Sequence, residues 1–258
     1  MIPAQRQQII LKTLEQREVV SIAELTEALA VSHMTIRRDI VSLEQAGKVL
    51  LVSGGVRRVE QIEAEPSRNV KAALQSTEKA MISQAAGAIV PSGATVYLDA
   101  GTTCLAIAVQ LAPRGDLTVL TNDFVIVSYL IENSQCALYH TGGHVIRQNE
   151  SCDGESAARF IASVNIDIGF ISASSWDMHY ISTPTESKVP VKQAVVAASV
   201  KKILVSDATK YGKAGFFKAI PLKSLDAIIT DSSLDPRALK AIRALGLEVI
   251  VAESDMSA

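Results

Sequence analysis

Residues 31–43 read Val31-Ser32-His33-Met34-Thr35-Ile36-Arg37-Arg38-Asp39-Ile40-Val41-Ser42-Leu43. Ser32 is a natural N-cap, because its hydroxyl can accept a backbone N–H that the first helical turn leaves unpaired. Ile36, Ile40 and Leu43 then fall at i, i+4 and i+7, the spacing of one buried helical stripe. The pattern predicts a helix over about 33–46, stopped by Gly47. At 100° per residue Met34, Arg38 and Gln45 lie opposite that stripe. Thr35 and Ser42 flank the outward face, Arg37 lies on its other side, and His33 opens the helix. An arginine can hydrogen-bond bidentately to guanine or hold phosphate, and short hydroxyls at a helix start suit phosphate.

The flanking sequence completes a small domain. Residues 4–16 predict a helix with Ile9, Ile10 and Leu14 inward. Ser21-Ile22-Ala23-Glu24 has the form of a capping box. The helix it opens buries Ile22, Leu25 and Leu29 and ends near Ala30. After Gly47, Lys48–Val52 and Val56–Glu60 are β-prone runs around Ser53-Gly54-Gly55, which predicts a hairpin. Helix, short turn, helix and hairpin make a winged helix-turn-helix over residues 1–58. Its expected partner is double-stranded operator DNA, met by Ser32, His33, Met34, Thr35, Arg37, Arg38 and Ser42. One such head offers little contact, so a homo-oligomer, dimer or tetramer, is expected.

Charge follows this division. Residues 1–58 carry eight Lys/Arg and six Asp/Glu, which leaves the remainder at −4 within a total of −2. A chain of 258 residues, 48% hydrophobic and near neutral, is not a basic nucleic-acid coat protein. Cys104, Cys136 and Cys152 form no CxxC pair, as expected in a reducing compartment. The start Met1-Ile2-Pro3-Ala4-Gln5-Arg6 has no secretory pattern, and no apolar run is long enough to span a bilayer. A cytoplasmic location with no membrane partner is therefore expected. His140, His144 and Cys152 are spaced loosely, and Gly142-Gly143 between the histidines argues against a helical pair of ligands. No metal and no cofactor are expected.

Residues 59–78 are polar and read as a linker, with room for a short helix near 67–75. Residues 79–258 alternate. Apolar runs at Thr95–Leu98, Leu117–Leu120, Cys136–Tyr139, Ile168–Ile171, Ile203–Val205, Ala227–Ile229 and Val249–Val251 are separated mostly by helical stretches. That predicts a mainly parallel α/β sheet covered on both faces. Polar residues cluster after the strands: Asp99-Ala100-Gly101-Thr102-Thr103, Thr121-Asn122-Asp123, Thr141-Gly142-Gly143, Ser172–Ser175, Asp207–Lys210 and Thr230-Asp231. Open α/β sheets bind ligands beyond the carboxyl ends of their strands. Gly101-Thr102-Thr103 opens a helix whose free N–H groups would attract phosphate. Small hydroxyls, glycines and one lysine suit an anion that carries hydroxyl groups. The candidate effector site is Asp99, Gly101, Thr102, Thr103, Asn122, Gly142, Gly143 and Lys210.

The head sequence Val31–Ile40, with Leu43-Glu44, Gly47, Arg6, Ile10, Leu14 and Gly54-Gly55, resembles the DeoR-type repressor signature. The resemblance continues through Asp99-x-Gly101-Thr102-Thr103, Thr121-Asn122, Gly142-Gly143, Gly154, Asp167, Glu186, Lys192 and Asp207-x-x-Lys210-x-Gly212. It implies an effector domain like ribose-5-phosphate isomerase and the sugar-phosphate deaminases in fold. It also implies a phosphorylated sugar or sugar-acid effector that releases a repressor from a carbohydrate operon. Gly101, Thr102 and Thr103 would hold the phosphate, and Asp99, Asn122 and Lys210 the polyol. Several segments resemble the YgbI-type branch, associated with sugar-acid catabolism. Three places depart from the family pattern. Leu51 and Ser53 stand where the wing usually has Arg and His, which would weaken wing contacts to phosphate. Ser172-Ala173-Ser174-Ser175-Trp176 replaces a glycine-bearing loop, which would alter the pocket, and Pro190 replaces an acidic residue. The alternative is a sugar-phosphate isomerase-like enzyme with an accessory DNA-binding head, using Asp99, Asp207, Glu155 or Glu186 with Lys210. A third possibility is a scaffold whose head binds protein.

Overall fold

The computed structural model describes residues 1–253. Its backbone contacts divide into two units, Met1–Gln61 with Asp235–Lys240, and Ile62–Leu234 with the segment from Ala241 onward.

In the first unit α1 (Pro3–Gln16), α2 (Ile22–Leu29) and α3 (His33–Gln45) precede a hairpin of β1 (Val49–Val52) and β2 (Gly55–Arg58). The capping box forms as expected: Glu24 N–H donates to Ser21 Oγ at 3.1 Å, and Ser21 N–H to the Glu24 carboxylate at 2.9 Å. Ile10, Leu14, Leu25, Leu29, Ile36, Ile40 and Leu43 make the core with Val20, Val49 and Val56. Ile9, expected inward, is exposed. The inner stripe of α1 is completed one turn earlier by Arg6, which is buried because Asp39 of α3 neutralises it at 2.6 Å. The wing gains a third strand-like contact, since Val20 and Val56 exchange backbone bonds at 3.0 and 2.9 Å. That approach needs Gly55: a Cβ there would lie 2.3 Å from the Val20 carbonyl oxygen.

In the second unit, after β3 (Glu60–Ile62), come α4 (Arg68–Ala73) and α5 (Ser76–Ala88). Then β4 (Thr95–Leu98), α6 (Thr102–Leu111), β5 (Thr118–Thr121), α7 (Phe124–Asn133) and β6 (Ala137–His140) form one half of the sheet. A short hairpin of β7 (His144–Ile146) and β8 (Ser151–Asp153) leads to α8 (Glu155–Ile161) and β9 (Ile166–Ser172). The segments β10 (Ser175–Trp176), β11 (Tyr180–Thr183), α9 (Lys188–Ala198) and β12 (Ser199–Val205) follow. The chain continues through β13 (Lys213–Gly215), β14 (Phe217–Pro221), β15 (Ala227–Asp231), α10 (Pro236–Ala244) and β16 (Glu248–Ala252).

Seven strands form one parallel sheet in the order β16-β15-β12-β9-β4-β5-β6. The aliphatic runs of the five inner strands are buried on both faces, as the sequence pattern requires, whereas the edge strand β6 leaves Ala137 and Tyr139 exposed. The chain winds outward from the middle in both directions, so the order reverses between β4 and β9. Such a reversal opens a crevice at the carboxyl ends of the two strands.

Two features depart from the sequence reading. Segment 59–78 holds the short helix expected near 67–75, as α4, but it is more ordered than a polar linker: β3 precedes α4, α5 begins at Ser76, and Arg68 is buried. A small antiparallel sheet, β10-β11-β14, was not anticipated. Its strands are short and their alternation is broken by the bulge between Ile181 and Ser182.

Candidate functional site

The outward face of α3 is the candidate nucleic-acid surface. Ser32 caps the helix, accepting Thr35 N–H at 3.2 Å, and its hydroxyl meets Thr35 Oγ1 at 2.9 Å. Thr35 is therefore half-buried and partly committed to the cap. His33, Met34, Arg37, Arg38 and Ser42 are exposed, with Met34 at 60%. In the wing, Leu51 is half-buried and its N–H donates to Glu44 at 3.1 Å, so this position serves packing where the family pattern places a cation.

The second surface lies where the sheet reverses. Asp99 follows β4 and Ser172 ends β9; Ser172 donates both its N–H and its hydroxyl to Asp99 Oδ2, each at 3.0 Å. Lys192 of α9 donates to the same oxygen at 2.6 Å and to the Ser172 carbonyl at 2.7 Å. Asp99 Oδ1 takes Ala100 N–H. Asp99 is 4% exposed and its carboxylate oxygens accept these internal bonds, so it braces the turn. Asn122 is held in the same way. Its carbonyl oxygen accepts Tyr97 Oη–H and Ala100 N–H, its amide donates to Cys152 O, all at 2.9 Å, and the side chain is buried.

These braces hold Gly101 at φ 152°, a conformation that favours glycine, with Ser172 against it. Gly101 carries no side chain to cap α6, and the first backbone bond of that helix is Leu105 N–H to Gly101 O at 2.9 Å. The N–H groups of Thr102, Thr103 and Cys104 thus open the helix without such a partner. Gly101 and Thr102 are half-buried, while Thr103 faces the interior. Cys104 is also buried, and burial raises its thiol pKa well above the ordinary value.

Gly142 and Gly143, at φ 63° and 121°, turn the chain after β6. Gly143 packs against Asp153 O and Ala157, where a Cβ would sit 3.0–3.1 Å away. His140 stacks on Phe124 and accepts Gly142 N–H through Nδ1. Among the described residues no cluster of three His, Cys, Asp or Glu side chains could hold a metal ion. Lys210 pairs with Asp207 at 3.4 Å at the end of β12. Burial pushes the Asp207 pKa up, but Lys210 and the Thr209 hydroxyl outweigh it and the net shift is downward. The loop at 172–176 turns its largest side chain inward. Trp176 is buried, donates to Ser206 Oγ at 3.0 Å and packs edge-on against Tyr211.

Sequence reasoning missed a ring of charge around these turns. Asp123 caps α7 through Oδ1, while its Oδ2 accepts both Gly101 N–H at 3.1 Å and Arg68 Nη1 at 2.5 Å. Glu65 receives Lys188 Nζ at 2.7 Å on each oxygen and Lys71 Nζ at 3.2 Å. Asp153 is buried. Burial raises its pKa first, Lys188 and Lys192 pull it down, and Asp99 and Glu65 push it up, with a net rise. Arg68, Glu65 and Lys71 were hidden by their place in an apparently featureless polar stretch. Asp123 was readable as an N-cap, and Lys192 stood out only through the family resemblance.

Residues 6–62 match the DeoR-like helix-turn-helix domain, and residues 74–232 match the DeoR C terminal sensor domain. The chain is 52% identical over 255 residues to the HTH-type transcriptional regulator YgbI of Escherichia coli (strain K12), covering 99% of this chain and all of that one. It is 32% identical to the transcriptional repressor AccR of Agrobacterium fabrum, over 88% of this chain and 89% of the relative. Among solved structures, ribose 5-phosphate isomerase from Plasmodium falciparum aligns over 55% of each chain at 17% identity with a TM-score of 0.39.

Proposed function

The chain belongs to the DeoR family of DNA-binding transcriptional regulators, and from that premise we propose that it represses a carbohydrate or sugar-acid catabolic operon and is released by an anionic sugar-derived effector. The family assignment supports residues 6–62 as a DNA reader and residues 74–232 as a small-molecule sensor, and it does not favour the isomerase alternative. No helix among the described residues is long and apolar enough to cross a membrane.

The observation that carries the effector proposal is the meeting of Asp99 and Ser172 at the reversal of strand order, beside the uncapped start of α6. Thr102, Thr103 and Gly101 bind the effector's phosphate there. Gly142, Gly143 and Lys210 border the remainder of the ligand, while Asp99 and Asn122 fix the turn. Arg38, Arg37, Met34, His33, Thr35, Ser32 and Ser42 meet operator DNA. A homo-oligomer presents paired heads to paired half-sites. The relative named as a repressor supports repression. The test is a thermal-shift screen of phosphorylated sugars and sugar acids on the parent, Thr102→Ala and Lys210→Ala. Ligands that stabilise the parent and fail on the variants support the site; ligands that stabilise all three equally place it elsewhere.

A further inference from the structure

Glu65 belongs to the stretch that leads from residues 1–61 into the sensor, yet its carboxylate is held as a bound ligand would be. Both oxygens lie 2.7 Å from Lys188 Nζ, and one lies 3.2 Å from Lys71 Nζ. The side chain is only 8% exposed. Lys188 stands one helical turn before Lys192, the residue that braces Asp99 at the effector turn. Ser187, just before it, accepts Gly154 N–H at 2.9 Å. Lys188 is thereby tied to the edge of the strand-end site, where Asp153 feels Lys188, Lys192, Asp99 and Glu65 together.

We propose that Lys188 and Lys71 form an anion seat of the effector site, that Glu65 fills it when no effector is bound, and that a carboxylate or phosphate group of the effector displaces Glu65. This rests on the strand-end effector site proposed above and adds a second anchor and a coupling route to it. The seat takes one anionic group whatever its source, because two ammonium groups recognise charge and not shape. Lys71 also feels Lys210, and Lys79, whose Nζ donates to the Lys71 and Leu74 carbonyls, feels both together with Asp207 and Glu78.

Displacement has a local consequence. The connecting stretch is held by charged contacts, Glu65 on Lys188 and Lys71 and Arg68 on Asp123, and by backbone contacts of Glu65 and Arg68 with Gln148. Loss of the carboxylate contact loosens the residues between β3 and α4, while Gln148 still holds the Glu65 carbonyl and Arg68 still holds α4. A ligand that takes Lys188 therefore changes the freedom of the segment leading to the DNA reader, which is the differential contact that coupling requires.

Competition gives this proposal a signature that a structural ion pair cannot give. Removing the internal ligand tightens external anions: if Glu65 occupies the seat about nine-tenths of the time, Glu65→Gln binds them about ten-fold more tightly than the parent. The experiment is calorimetric titration of the full chain with inorganic phosphate, D-gluconate and ribose 5-phosphate, on the parent, Glu65→Gln, Glu65→Gln/Lys188→Gln and Thr102→Ala. The expected result is tighter binding to Glu65→Gln and loss of that gain in the double variant. The gluconate and ribose 5-phosphate arms tell a carboxylate from a phosphate occupant. Binding to Glu65→Gln that is no tighter than to the parent, with any of the three or with none bound, overturns the seat. If Thr102→Ala alone abolishes binding while Glu65→Gln gains nothing, the strand-end site stands and the seat falls. If Glu65→Gln gains and Thr102→Ala is indifferent, the seat stands and the phosphate assignment at α6 falls.

Discussion

Arg68 and Asp123 face each other at 2.5 Å with neither side chain open to solvent, at 7% and 0% exposure. The oxygen of Asp123 that receives Arg68 also receives Gly101 N–H. One buried charge pair thus ties α4 to the turn that opens α6. Removing one partner leaves the other charge buried and uncompensated, which costs about 3–5 kcal/mol. Arg68→Ala is expected to lose stability on that scale in urea denaturation, and Arg68→Ala/Asp123→Asn to recover part of it. Equal losses in the single and double variants would show that the pair is not the source.

The head has its own buried pair. Arg6 Nε and Nη2 meet the two oxygens of Asp39 at 2.6 and 3.1 Å, joining α1 to the inner face of α3. Asp39→Ala is expected to destabilise the head by about 3–5 kcal/mol and to weaken binding to every duplex alike. Circular dichroism melting and duplex titration check this. A variant that melts like the parent but loses one sequence only would make Asp39 a base-reading residue.

Arg38 and Arg37 separate the two kinds of DNA contact. Arg38→Ala is expected to cost about 1–3 kcal/mol on the specific operator and little on random duplex, as loss of a bidentate base contact does. Arg37→Ala is expected to weaken both and to reduce the salt slope by about one. Salt titrations on the two duplexes decide; two variants indistinguishable from the parent would mean that α3 docks on another face.

Glu65 gives the sensor an acid-sensitive component. Burial pushes its pKa up, but Lys188 and Lys71 outweigh it and hold it at about 2, below the usual 4.5. A folded pKa lowered in this way contributes stability that is complete above 4.5 and is lost as pH falls toward 2. Asp153, with its pKa raised, acts in the opposite sense. The difference between parent and Glu65→Gln isolates Glu65: the parent's advantage in urea at pH 7 is expected to shrink steadily below pH 4.5. A difference that stays constant from pH 7 to pH 3 would contradict the coupling.

The elements of both units were readable where one physical pattern dominates a long segment. The stripe Ile36-Ile40-Leu43 and the caps Ser21 and Ser32 placed α2 and α3. Continuous aliphatic runs placed the seven central strands, and the polar residues after them placed the crevice. What stayed hidden depends on pairing across long separations. Arg68 and Asp123 are 55 positions apart and Glu65 and Lys188 are 123 apart, so neither pair leaves a local signature. Asp99 and Asn122 were read from their place after the strands, but sequence could not reveal that Lys192, Ser172 and Tyr97 bond to their polar atoms. The 172–176 loop was expected to alter the pocket, and the burial of Trp176 against Ser206 and Tyr211 is another long-range pairing that leaves no local signal.

The central claim is that a ligand at the strand ends changes affinity for operator DNA. Its most direct measurement is fluorescence anisotropy of a labelled operator duplex bound to the full chain, titrated with each sugar phosphate or sugar acid that raises the melting temperature. The predicted result is a weakening of about 5–150-fold, the range of a coupling of 1–3 kcal/mol, retained operator binding by Thr102→Ala without ligand, and a smaller response of that variant to ligand. A ligand that stabilises the chain through Thr102 yet leaves operator affinity unchanged would contradict the account.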